Sequence, residues 1–173
     1  MTIDNLKSLI RDVPDFPKKG IVFKDITPLL YDPRALKTAV DKLSEHYKDD
    51  RISVVVATEA RGFIIGPPIA LNLNAGFVPV RKPGKLPYKT KNMTYELEYG
   101  TDTVEIHEDA IKPGQEVLMV DDVLATGGTM GACCKLVESM GGNIVGCAFL
   151  LELTFLNGRK ALGDHDIFSL IQF

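Results

Sequence analysis

The sequence predicts a single α/β domain built on a mainly parallel sheet flanked by helices. Three observations carry that prediction. Residues 52–57 (ISVVVA) and 116–121 (EVLMVD) are nearly continuous apolar runs, the pattern of strands covered on both faces. A helical stretch follows each of these runs and is followed in turn by another strand-like run. The 173 residues suit one domain with one sizeable core.

The elements follow in order. In residues 3–11 Ile3, Leu6, Leu9 and Ile10 share one face of a short amphipathic helix. Residues 14–33 hold four prolines and a glycine, which excludes one long regular element. Their apolar side chains (Phe16, Ile21, Val22, Phe23, Ile26, Leu29, Leu30) are too many for a solvated linker, so an ordered loop is expected. Asp32 then Pro33 is a cap followed by a proline at the first helical position, starting a helix that reaches about Tyr47. After the strand at 52–57, TEARGFIIGPP leads into a helix ending near Asn74, and 76–80 is a second short strand. Residues 82–91 are polar, basic and proline-containing with no core-facing period, which predicts a mobile loop. Residues 94–99 and 103–106 alternate about Gly100, a hairpin signal. The strand at 116–121 precedes a helix over 128–140 that Gly141 and Gly142 stop. Strands at 143–153 and 167–171 complete the domain, without repeats or a second domain.

Charge and composition remove several function classes. A net charge of −3 lacks the strongly basic surface that non-specific nucleic-acid binding needs, so no nucleic-acid partner is expected. Residues 62–80 are uncharged and about long enough to span a bilayer, but Pro67, Pro68, Asn72, Asn74 and Gly76 divide them into helix, turn and strand. The first residues show no basic region leading into an apolar one, hence no signal peptide. Cys133, Cys134 and Cys147 have neither metal-ligand spacing nor a disulfide framework and read as buried thiols of a reducing compartment. A cytoplasmic protein without membrane partners is expected.

Chemistry concentrates at VLMVDDVLATGGTMGA, residues 117–132. In open parallel sheets ligands bind beyond the carboxyl ends of the strands, where Asp121 and Asp122 are expected. Ala125, Thr126, Gly127, Gly128 and Thr129 then form the turn into a helix. Glycines let backbone N–H groups approach an anion, the helix start favours one, and threonine hydroxyls add donors. The aspartates repel that anion and need sugar hydroxyls, a metal or a developing cation. A phosphosugar such as ribose 5-phosphate satisfies both halves. A metal–phosphoryl site or a capped turn with solvated acids also fits these residues. The spacing is neither a GxxxxGK[ST] loop nor GxGxxG.

VLMVDDVLATGGT resembles the phosphoribosyl-diphosphate signature of type I phosphoribosyltransferases. DFPKKGIVFKDITPLL, ATEARGFIIGPPIA, VRKPGKLPYKT and YELEYGTDTVEI extend the resemblance through nearly the whole chain, to the adenine phosphoribosyltransferase family. It implies the type I phosphoribosyltransferase fold, with residues 1–33 as a hood and base-binding segment and about 82–105 as a mobile loop and hairpin closing over the site. The implied reaction is a purine-salvage glycosyl transfer, in which adenine and phosphoribosyl diphosphate give AMP and pyrophosphate. Magnesium is implied through the diphosphate rather than on protein ligands, and a homodimer is implied as the assembly.

The resemblance also assigns residues. Thr126–Thr129 with Ala125 hold the 5′-phosphate, and Asp121 and Asp122 face the ribose hydroxyls. Ala60 and Arg61 belong to the pyrophosphate loop, where a cis peptide would fall at Glu59–Ala60; the family commonly has aspartate and serine before that arginine. Arg81 is expected on the diphosphate, joined on closure by Lys82 and Lys85. Glu98 matches the family's proton-handling glutamate, beside Tyr99 of the mobile loop. Phe23 stacks on the base while backbone groups of Val22 and Lys24 read its edge; many relatives carry arginine in place of Lys24. The rival implications are a phosphoribosyl-diphosphate-sensing regulator on the same fold and a phosphoribosyltransferase for another base.

Overall fold

Alternating side chains along the central strands feed two separate cores. Val55, Ala57, Leu118 and Val120 pack with Leu43, Ile65 and Ile69 on one face, while Val54, Val56, Val117 and Met119 pack with Met130, Cys133 and Val137 on the other. This double coverage is what the unbroken apolar runs require. A computed structural model describes residues 1–96 and 100–173. In chain order its elements are α1 (Ile3–Ser8), β1 (Arg11–Pro14), β2 (Val22–Asp25), α2 (Thr27–Tyr31), α3 (Pro33–His46), β3 (Val54–Thr58), α4 (Gly62–Asn72), β4 (Gly76–Val80), β5 (Thr90–Glu96), β6 (Thr101–His107), β7 (Glu116–Leu124), α5 (Gly128–Ser139), β8 (Asn143–Glu152) and β9 (Ile167–Gln172). Short 3-10 helices at Thr154–Leu156 and Gly158–Leu162 join the last two strands.

The main sheet has five strands in the order β4-β3-β7-β8-β9, every neighbouring pair parallel. All five carboxyl ends therefore lie along one edge. From β3 the chain passes through α4 to β4 on one side, then returns to β7 on the other side and continues through α5 to β8. The strand order reverses between β3 and β7, with α4 and α5 on opposite faces. Such a reversal opens a crevice at the strand ends. Two antiparallel ribbons flank this edge, β1–β2 and β5–β6.

Several boundaries differ from the sequence expectation. The first helix starts at a capping box of Thr2 and Asn5 and stops at Ser8, where the Leu9 N–H bonds the Leu6 carbonyl at 3.1 Å and the chain turns into β1. Residues 14–33 are not a loop throughout. Val22–Asp25 pairs with Arg11–Pro14, and Thr27–Tyr31 is a short helix. The prolines fit because Pro14 ends a two-stranded ribbon, Pro17 follows a cis bond in the turn, and Pro28 sits at a helix start, where no N–H is needed. β5 begins at Thr90, since its ladder with β6 runs from Thr90–His107 to Glu96–Thr101 whatever the side chains. β7 runs three residues past Asp121, to Leu124, so the aspartates sit within the strand's last turn of ladder rather than beyond it. Residues 62–80 form α4, a turn and β4, and among the described residues no helix is long and apolar enough to cross a membrane. The three cysteines are buried and free.

Candidate active site

The turn after β7 is shaped by glycine. Gly127 adopts φ 81, in the left-handed region, and a Cβ there would lie 2.3 Å from the Gly158 carbonyl oxygen. Both conditions demand glycine. Gly158 meets the same constraint from the other side, 2.2 Å from the Ala125 carbonyl oxygen. The 3-10 segment thus braces the turn from behind. α5 starts without a side-chain cap and without an acidic residue in its first turn. Its first N–H groups have no intrahelical acceptor, and they carry the positive end of the helix dipole. This is a preorganised anion cradle.

Beside it, Asp121 and Asp122 are packed at the end of β7. Asp122 is only 5% exposed. Burial, and then the neighbouring Asp122 charge, pushes the Asp121 carboxyl well above the usual carboxylate range. Burial raises Asp122 too, opposed by the Arg61 guanidinium. Arg61 Nε lies 2.6 Å from Asp122 Oδ2, and the buried Thr58 hydroxyl at the end of β3 is the nearest side-chain donor to Asp121. Two adjacent acids whose protons are hard to lose, served by one arginine, suit donors or positive charge from a ligand. Gly62 permits the approach, because a Cβ there would stand 2.9 Å from Asp121 Oδ1.

Arg61 follows the Glu59–Ala60 peptide, which is cis. Its guanidinium also covers the Phe23 ring at 5.2 Å. Glu59 gathers the remaining cations. Its Oε2 accepts from Arg81 Nε and Nη2 at 3.1 and 3.0 Å, its Oε1 from the Lys82 backbone N–H at 2.7 Å, and Lys85 Nζ stands 3.2 Å from both oxygens. Burial raises the Glu59 carboxyl, but these donors outweigh it and hold it below its ordinary value. The Lys82 ammonium pairs with Asp102 of β6.

These parts converge on a cleft of about 630 Å³ at the sheet reversal. Val22, Phe23 and Lys24 form one wall; Ala60, Arg61 and Lys82 form a second. Asp121, Asp122 and the whole of 125–129 form the floor. Arg81 and Lys85 do not line it; they stand behind Glu59. The Lys24 ammonium turns away, to Asp12 at 2.6 Å and to the Phe173 ring at 4.2 Å. Lys24 still lines the cleft, beside Val22 and Phe23. Glu98 and Tyr99 lie outside the described residues.

Comparison with known proteins decides among the open readings. Residues 29–169 match the family described as the phosphoribosyl transferase domain. A protein of Acidobacterium capsulatum named adenine phosphoribosyltransferase is 60% identical over 168 residues, covering 97% of this chain and 93% of its own. The chain belongs to the adenine phosphoribosyltransferase family. The crystal structure of the Thermoanaerobacter pseudethanolicus enzyme superposes with a TM-score of 0.97 at 55% identity, covering 99% of this chain and all of that one. The Saccharomyces cerevisiae member, solved with adenine and D-2,5-dideoxy-2,5-imino-altritol 1,6-bisphosphate, gives 0.91 at 41% identity, covering 97% of each chain.

Residues that the sequence reading did not single out also face the cleft. Thr58 ends β3, while Leu153 and Leu156 follow β8 and add an apolar wall opposite Phe23's segment. Their position just past strand ends is the signal that could have found them. Glu59 and Asp102 were invisible as cation partners, because their contacts join residues 20 to 26 positions apart. Among the described residues no three His, Cys, Asp or Glu side chains stand together as a metal site. Asp121 and Asp122 offer hard oxygens, one of them already paired with Arg61, but too few to enclose magnesium, which keeps water and phosphate ligands.

Proposed function

We propose that this protein is the adenine phosphoribosyltransferase of a purine-salvage route, joining the phosphoribosyl group of phosphoribosyl diphosphate to N9 of adenine with release of AMP and pyrophosphate. The observation that carries the reading is the anion cradle at 125–129 directly beside the half-buried Asp121 and buried Asp122 carboxylates, both of raised pKa. A ligand with phosphate at one end and a cation-forming sugar next to it needs both. The backbone N–H groups of Thr126, Gly127, Gly128 and Thr129 and the Thr126 hydroxyl take the 5′-phosphate. Asp121 and Asp122 accept from the ribose hydroxyls and stabilise the positive charge that grows on the ring as its bond to the diphosphate breaks, before N9 forms the new bond. Arg61 takes the departing diphosphate, joined by Arg81, Lys82 and Lys85 once they leave Glu59 and Asp102. Magnesium, when bound with the diphosphate, neutralises part of its charge. Adenine replaces Arg61 on the Phe23 ring, with Val22 and Lys24 backbone groups at its edge. The yeast relative's ligands support this layout, since an imino-sugar bisphosphate was bound together with adenine.

Glu98 remains our proposed proton-handling residue, since N9 must lose a proton, and Tyr99 its neighbour in the closing loop. We place the enzyme in the cytoplasm, consistent with its three free thiols. A homodimer is proposed on α4, whose outer face leaves Ile64 42% and Leu71 81% exposed; sedimentation at twice the 19.0 kDa chain mass is expected.

An assay of phosphoribosyl diphosphate and magnesium with each purine in turn tests the reading. AMP from adenine is expected, with little nucleotide from hypoxanthine or guanine. Folded protein that makes none from adenine would return the chain to the sensing-regulator class, and hypoxanthine as the only substrate would reassign the base. In the same assay Glu98→Gln should lower turnover while leaving the KM for phosphoribosyl diphosphate near its starting value.

A further inference from the structure

The β5–β6 ribbon touches the phosphate turn through one hydroxyl. Tyr95 Oη lies 3.0 Å from Thr129 Oγ1 and 3.2 Å from Asp102 Oδ2. The Lys82 ammonium, and next the Thr103 N–H, hold the Asp102 carboxyl below its ordinary value against burial, so it is ionised at neutral pH. An ionised carboxylate only accepts. The single hydroxyl hydrogen of Tyr95 is therefore spent on Asp102, and the Tyr95 oxygen must accept from Thr129. Thr129 has one hydrogen to give. With that hydrogen turned to Tyr95, Thr129 shows the cleft only lone pairs, and a phosphate dianion is also an acceptor. The cradle's backbone N–H groups are unaffected.

We propose that Tyr95 and Asp102 are positioning residues that withhold the Thr129 hydroxyl proton from the 5′-phosphate, limiting how tightly the turn grips it. This rests on the reading of residues 125–129 as a phosphate cradle. The limit has a use. Substrate and product carry the same 5′-phosphate, so grip shared by both adds nothing to the chemical step and slows the product's departure.

Calorimetric titration with ribose 5-phosphate tests it. Tyr95→Phe keeps the ring and frees the Thr129 proton, so the Kd should fall about threefold, the worth of one modest hydrogen bond. Adenine affinity should not move, which a general loosening of the ribbon would not allow. In a Thr129→Val background, Tyr95→Phe should change nothing. A Kd for ribose 5-phosphate that stays the same or rises in Tyr95→Phe would overturn the proposal, as would the same gain in the Thr129→Val background. Amide shifts of residues 126–129 on adding ribose 5-phosphate to the wild type report on the cradle separately. If those amides respond but Tyr95→Phe gives no tightening, the withheld proton is wrong and the cradle stands. If they do not respond, the cradle reading itself fails, and the proposal with it.

Discussion

Asp121 stands where an ionised carboxylate is hard to keep: half-buried and desolvated near the end of β7, with the buried carboxylate of Asp122 as its next neighbour. Both effects oppose its charge, burial more than the neighbour. An acid whose pKa rises on folding binds its proton more readily in the folded chain than in the unfolded one. Its drag on stability is therefore absent below the unfolded carboxylate value, grows as pH climbs from there to the raised folded value, and is complete above it. Asp121→Asn removes that drag. Urea unfolding should show a gain of about 1 kcal/mol at pH 8 and almost none near pH 4, together with a large loss of turnover, the usual exchange of stability for function at a charged site. A variant no more stable than the parent at pH 8 would show that the pair is not electrostatically costly. The aspartates and the glycines were legible as a site from adjacent residues alone. Glu59 was not, because its role comes from Arg81, Lys82 and Lys85 folding back on it, 22 to 26 positions away.

At the scale of elements, the start of α5 is the part on which the site depends most. Gly127 combines a positive φ with an approach to the Gly158 carbonyl that leaves no room for a side chain. Gly127→Ala should cost about 3 kcal/mol, from the left-handed backbone penalty plus the displaced neighbour. Thermal unfolding would register it, and the KM for phosphoribosyl diphosphate should rise with it, because the N–H groups move off their target. An unchanged melting temperature and KM would mean that the turn is not tightly specified. The buried strands and α5 were legible because their apolar runs and glycine stops are local. The β1–β2 ribbon was not, since prolines disguised two short edge strands whose pairing is a tertiary fact. The hairpin was legible in kind but not in extent, as Thr90, Lys91 and Asn92 join β5 through backbone pairing alone.

For the whole molecule, the decisive feature is the reversal of strand order between β3 and β7. It brings the Thr58–Arg61 loop and the Asp121–Thr129 stretch to one crevice although they are distant in sequence. Alternation of strands and helices pointed to a parallel sheet, but the order β4-β3-β7-β8-β9 cannot be read from periodicity, which says what an element is and not which neighbour it takes. That order sets the glycine turn at the start of α5, a pair of acids and an arginine around one small space. The most direct test is a crystal structure of the protein with AMP bound. The phosphorus should lie within hydrogen-bond reach of the 126–129 backbone N–H groups, with the ribose hydroxyls on Asp121 and Asp122 and the purine on Phe23. A phosphate held elsewhere, with the turn after β7 empty, would contradict the assignment of this crevice as the phosphoribosyl site.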